Sequence, residues 1–165
     1  MRLASLWLVL ALGAWFRAPS AAQAPPASWA ACPASLSGRV HLEGRNDHRA
    51  ALVSIEGTGL TVSPDAGGAY VVANIPPGRH AVLLRASGFL DLVVEGIALG
   101  SGQHFVLPDR ILLAGDLNDD EQIDVLDLVI VGSQFGSTMP DPLTADVNAD
   151  GEVDILDIVL VAKNL

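Results

Sequence analysis

Two twelve-residue stretches of this chain carry side-chain oxygens at the same five positions. The first runs from Asp116 to Asp127 (DLNDDEQIDVLD) and the second, thirty residues later, from Asp146 to Asp157 (DVNADGEVDILD). In both, Asp, Asn, Asp, Asp and Asp occupy loop positions 1, 3, 5, 9 and 12. Oxygens at alternate positions around a tight loop suit a hard cation. Calcium takes six to eight oxygen ligands at about 2.3–2.6 Å, one of them the backbone carbonyl of position 7.

An apolar run follows each loop, Leu128-Val129-Ile130-Val131 in one copy and Ile158-Val159-Leu160-Val161 in the other. These runs are the helices expected to hold the loop ends, and the fixed period makes the two halves one paired unit. Charge follows the same division. Net charge is −10, and from Gly115 onward twelve acidic residues face one basic residue, Lys163. The interleaved Val, Ile and Leu distinguish this segment from a disordered acidic tail. No basic patch offsets phosphate charge, which disfavours nucleic acid as a partner.

With these loops, Gly115 to Leu165 resembles the type I dockerin family, in which two calcium loops are each followed directly by one helix. The segments before the loops, Leu112-Leu113-Ala114-Gly115 and Asp141-Pro142-Leu143-Thr144, are too short or broken for the leading helix of an EF-hand. Asp at position 12 in place of Glu also suits the resemblance. It implies a first ligand set of Asp116, Asn118, Asp120, the carbonyl of Gln122, Asp124 and Asp127. The second set is Asp146, Asn148, Asp150, the carbonyl of Glu152, Asp154 and Asp157, for two calcium ions per chain. It further implies a cohesin-like partner that contacts positions 10 and 11 and the following helix. Those positions hold Val125-Leu126 and Ile155-Leu156 rather than the small hydroxyl pair common in cellulosomal dockerins. Their apolar character gives a second expectation, weighted towards packing: these pairs join the two halves to each other. Position 6 is Gly151 in the second loop and Glu121 in the first. A sharp turn there strains the first loop by about 1 kcal/mol.

The rest of the chain is nearly neutral. Arg2, the apolar stretch Leu3 to Phe16 and the small residues Ala18 to Ala24 read as a signal peptide over residues 1–24, cleaved after Ala22 or Ala24. An uncleaved anchor is the rival reading. The run is short of the roughly 20 residues of a membrane span, so the expected mature chain is exported, with no further span. Residues 25–35, rich in Pro, Ala and Ser, read as a linker that includes Trp29. A lone cysteine, Cys32, excludes an internal disulfide and reads as a free thiol.

From residue 36 to 113 short apolar runs alternate with turn signals. Strands are expected at Leu36–Leu42, Ala51–Ile55, Gly68–Val72, Arg79–Ala86, Leu92–Val94 and His104–Leu107, forming a small antiparallel sandwich. The stretch Asp65 to Phe89, with Asn74-Ile75-Pro76-Pro77-Gly78 and a closing Gly88-Phe89, resembles the carboxypeptidase regulatory-like family. That resemblance implies a transthyretin-like β-sandwich acting as a non-catalytic accessory module. The expected fold is therefore a mainly β, Greek-key-like N-terminal sandwich plus a small α C-terminal pair of calcium loop-helix units, the second over residues 114–165.

No catalytic constellation occurs. His41, His48, His80 and His104 are scattered, without His-Glu-x-x-His spacing. There is no Gly-x-Ser-x-Gly elbow or phosphate loop, and the loop carboxylates are committed to metal. The reading is an exported, non-enzymatic, calcium-binding docking module in a polysaccharide-degrading or cell-surface assembly. The alternative is a carbohydrate- or surface-binding module whose calcium unit is structural, favoured by the tight join Leu107 to Ala114, which lacks a Pro/Thr spacer. No cluster of Trp or Tyr marks a sugar platform for a polysaccharide partner.

Overall fold

Alternation of apolar side chains builds two facing sheets. The computed structural model describes residues 32–165. The expected signal peptide, Trp29 and the expected linker up to residue 31 lie outside the described residues. Strand β1 (Ala34–Leu42) turns Ala34, Leu36, Val40 and Leu42 into the core. It starts two residues earlier than expected. β1 pairs antiparallel with β4 (Ala69–Ile75) on one edge. On the other it pairs parallel with β7 (His104–Val106) and then β8 (Arg110–Leu112). The second sheet is antiparallel, ordered β3 (Leu60–Val62), β2 (Leu52–Ile55), β5 (Gly78–Arg85), β6 (Leu92–Leu99).

The sandwich expected from the sequence is present, with corrections. The first sheet is mixed rather than antiparallel. The chain leaves β6 in one layer and crosses to the other, so β7 and β8 arrive running in the direction of β1. Strand β3 is additional; it closes a hairpin whose turn holds Gly57 and Gly59 at positive φ. Strand β6 runs on to Leu99 through a bulge, where Gly96 adopts φ 75° and the pairing register slips between His80 and Val82.

Leu36, Val40, Val72 and Ile75 from one sheet meet Val53, Ile55, Val82, Leu84, Ile97 and Leu99 from the other. Each such side chain stabilises the fold by about 1.5–3 kcal/mol when fully buried. This core fixes the end of β8, from which the loop–helix halves hang. Helix α1 (Val125–Ser133) follows the first loop, and α2 (Ile155–Ala162) follows the second. A 3-10 turn at Leu143–Ala145 stands where an EF-hand would place a helix.

Between β8 and the first loop the backbone stays bonded to the sandwich. Leu90 donates to the Leu113 carbonyl and Gly115 to that of Gly88, both at 2.9 Å. Glu43, just after β1, closes the other side. Its Oε1 lies 2.7 Å from Lys163 Nζ, while Oε2 accepts from Asn164 Nδ2 at 2.6 Å and Ala114 N at 3.2 Å. Burial pushes the Glu43 carboxyl up, but these donors and the Lys163 charge outweigh it and hold it below the ordinary carboxylate range.

A folded-state pKa depressed below the unfolded value contributes stability that is present above the unfolded pKa and lost as pH falls through the folded one. Glu43→Gln should therefore cost about 1–2 kcal/mol at pH 7, with the exposed part of the Lys163 pair contributing little. The gap to the wild type should narrow as pH falls below the ordinary glutamate range and through the lowered folded-state value, so that it is smaller at about pH 3 than at pH 7. Paired denaturant titrations at the two pH values test this. An equal gap at both would mean that the Glu43 charge does not hold the join.

Candidate metal centre

Each loop is wound around the carboxylate at position 1. Asp116 is buried, and its Oδ1 accepts from Asp120 N and its Oδ2 from Glu121 N, both at 3.0 Å. Asp146 does the same for Asp150 N at 3.2 Å and Gly151 N at 3.0 Å. At position 3, Asn118 and Asn148 each accept from the amide of position 5 and donate Nδ2 to its carboxylate at 2.8 Å. Asp120 Oδ1 takes the amide of Gln122 at 3.0 Å, and Asp150 Oδ1 that of Glu152 at 3.1 Å.

Positions 9 and 12 tie the loop to its helix. Asp124 and Asp154 are N-caps, each accepting at 2.7 Å from the amide two residues on. Asp127 and Asp157 are fully buried and return the bond to the cap amide at 2.8 and 2.9 Å. Their other oxygen reaches back to the loop start, accepting from Leu117 N and Val147 N at 2.8 Å. This is a capping box with Asp at N3. Both loops need positive φ at two places, position 4 (Asp119 56°, Ala149 60°) and position 6 (Glu121 63°, Gly151 102°). The position 6 turn was expected. Position 4 was missed: Asp119 is of a type that tolerates positive φ, but Ala149 at the matching place gives no sign of it.

The structure brings the two ligand sets into matching loops. Among the described residues, no three His, Cys, Asp or Glu side chains close around one point. Each set contains four Asp carboxylates, and their oxygens accept from the loop's own amides instead of meeting at one point. Those amide bonds do not exhaust them, since each ionised carboxylate has about four lone-pair sites. Charge is the better test of fit. Asp116, Asp127 and Asp157 are buried, yet among the described residues no Lys, Arg or His forms an ion pair with any loop carboxylate. Burial pushes the Asp116 carboxyl up, with the Asp127 and Asp119 charges adding, against the amide bonds from Glu121 and Asp120. Buried carboxylates without a counter-ion are costly, and a divalent cation removes that cost. The residues present fit calcium.

The two halves join through Ile123, Val131, Val153 and Val161, and through a short ladder in which Gly136 donates to Val153 and Val153 to Ser137 at 2.8 and 2.9 Å. The apolar pairs at positions 10 and 11 take no part. Leu126 and Leu156 are each 55 % exposed, and Val125, Val129, Ile155 and Val159 are exposed beside them. The expectation that these pairs pack the halves together is corrected. The N-terminal end of each helix turns this face outward, while Val131 and Val161 one turn later face inward.

The histidines are accounted for elsewhere. His104 bonds Ser35 and Ser37, His80 meets the Pro76 carbonyl, and His48 accepts from Leu42 N and lies against His41. Sequence reasoning also missed Arg45, whose guanidinium reaches the second loop from the sandwich.

The dockerin type I domain model matches residues 114–165. No curated protein matches the sequence. Among solved structures, a C-terminal interface mutant of a type II cohesin–X–dockerin complex from Acetivibrio cellulolyticus is similar over 79 % of this chain and 94 % of the matched chain. Its TM-score is 0.68 at 18 % identity. The N-terminal interface mutant of that complex gives 0.68 at 19 % identity, with the same coverage. The sandwich and the loop–helix pair are thus a known combination of folds. Residues 114–165 of this chain are a type I dockerin segment.

Proposed function

We propose that this chain is a calcium-dependent docking module whose dockerin segment engages a cohesin-like partner. The carrying observation is the pair of outward apolar faces, Val125-Leu126-Val129 and Ile155-Leu156-Val159, held at equivalent places beside the two loops. Nothing in an isolated loop–helix pair requires them to be apolar and exposed. Contiguous exposed apolar patches mark sites of protein–protein contact. The similar complexes from Acetivibrio cellulolyticus join a dockerin to a cohesin, which supports the choice of partner. Being apolar, these faces suit an apolar cohesin surface better than one built for hydroxyl contacts.

Dockerin domains bind calcium, and the proposed ligands are the two sets named above, one ion in each loop. Calcium supplies the positive charge that the buried carboxylates lack. In its absence mutual repulsion opposes loop closure; with it, loop and helix fold together. The domain division, the export of the chain by residues 1–24 and its place in a polysaccharide-degrading or cell-surface assembly belong to the same reading. The Glu43 join favours a second one, in which the unit caps a carbohydrate- or surface-binding sandwich and calcium is structural only.

Calorimetry should give two calcium ions per chain, with magnesium a poor substitute because it demands near-octahedral geometry. One site or none at millimolar calcium would remove the paired-loop reading.

Glu121→Gly should tighten the first site. Glu121 holds φ 63°, and relieving that strain is worth ~1 kcal/mol, more than the few tenths from losing an exposed charge. An unchanged or weaker first site would show that the loop accepts Glu121 unstrained.

The double variant Leu126→Ala, Leu156→Ala should melt within a few degrees of the wild type in calcium, since neither side chain is buried. Binding to a responsive cohesin, found by screening type I and type II domains, should weaken by at least about 30-fold, the equivalent of one 2 kcal/mol anchor. A large melting loss with binding intact would point to the capping reading instead.

A further inference from the structure

The two loops match each other in hydrogen bonding but not in what surrounds them. Arg45 lies in the sandwich, three residues beyond the end of β1, and is half-buried. Its Nε donates to the Val147 carbonyl at 2.9 Å, and its Nη2 approaches the Asp146 carbonyl at 3.5 Å. The guanidinium carbon stands over the buried Phe89 ring, 5.0 Å from its centre, where the ring face attracts the cation. The Asp146 and Asp157 carboxylates attract it and oppose the burial that lowers its pKa. Next to it, Gly44 leaves room for Leu160 of α2, whose Cδ1 would lie 2.6 Å from a β-carbon there.

The first loop has no such brace. Among the described residues, no cationic side chain bonds the carbonyls of Asp116 or Leu117, the positions that match Asp146 and Val147. The first loop also carries six acidic side chains against five in the second. Without metal, the first loop therefore faces more self-repulsion, and among the described residues no cationic side chain is bonded to it; Arg85, which shares a cleft with Asp116, Asp119 and Glu121, is paired instead with Asp91 at 2.8 Å. The second starts with one fewer carboxylate and a guanidinium held in place by the sandwich.

We propose that Arg45 is a positioning residue for the second loop, holding its first two residues in the metal-ready conformation before the metal arrives. The second half is then preformed in the calcium-free chain, and the first half orders only on calcium. This rests on the calcium reading above. It adds an order of events to it, and a role for a residue outside residues 114–165.

Hydrogen exchange on the full chain, with EDTA and then with calcium, tests it. In EDTA, wild-type amides of residues 147–161 should exchange at least about tenfold more slowly than those of residues 117–131. Arg45→Met keeps much of the side-chain bulk without the charge or donors. It should erase that difference while β1, β2 and β5 remain protected. Equal exchange of the two halves in the calcium-free wild type would overturn the proposal whatever the variant does. So would an Arg45→Met chain that keeps a protected second half. The calcium arm isolates the underlying reading: if calcium slows exchange in neither half of the wild type, it is the metal assignment that fails.

Discussion

The C-terminal segment depends on two buried carboxylates, Asp127 and Asp157. Each bonds the amide of its own N-cap and an amide at the start of its loop. One side chain therefore closes a twelve-residue loop and starts a helix of eight or nine residues. Helices that short are marginal alone, so without this closure neither would be expected to persist. The geometry also accounts for the short Asp: a carboxylate one bond from Cβ reaches the cap amide and the loop start together. Its cost is a buried negative charge that no cationic side chain among the described residues ion-pairs, Arg45 bonding only the backbone of the second loop, and this makes a cation the natural completion of the fold.

A second constraint is the short segment Glu43-Gly44-Arg45. Glu43 holds the end of α2 and the exit from β8; Gly44 admits Leu160; Arg45 reaches the second loop. The three act on one side of the loop–helix pair, the side carrying its C-terminal half. The opposite contact is made by backbone, Gly88 and Leu90 bonding Gly115 and Leu113. Both contacts leave the outward apolar faces free. The sandwich thus holds the pair without covering the surface proposed for the partner, so joining and docking do not compete.

Much of this was legible in the sequence, for a physical reason. Cation loops need particular oxygens at particular positions, so Asp116 to Asp127 and Asp146 to Asp157 declare themselves. Turns need Gly and Pro, so most strand limits followed. What was not legible depends on contacts between distant residues. The parallel pairing of β1 with β7 and β8 leaves no local trace, because strand direction is set by the crossover between layers. Strand β3 is three residues long, too short for an alternation. Glu43-Gly44 reads as a turn whether or not Lys163 and Asn164 lie opposite. Positive φ at Ala149 is imposed by the loop, not by the residue.

The misjudged orientation of Leu126 and Leu156 has its own cause. In Val125-Leu126-Asp127-Leu128-Val129-Ile130-Val131 every residue but one is apolar, so periodicity cannot say which side faces inward. The acidic exception decides it. Asp127 must turn inward to close the loop, and in a helix the residues near i+4 share its side. Val131 therefore goes to the core, and Val125, Leu126 and Val129 fall on the other flank. The same holds for Asp157, Val161 and the Ile155, Leu156, Val159 face. The buried carboxylate that completes the loop thus also sets which apolar residues remain outside. If a cation fills each loop, the orientation of the exposed face follows from the same side chain that holds the metal, which couples docking to calcium without any separate switch.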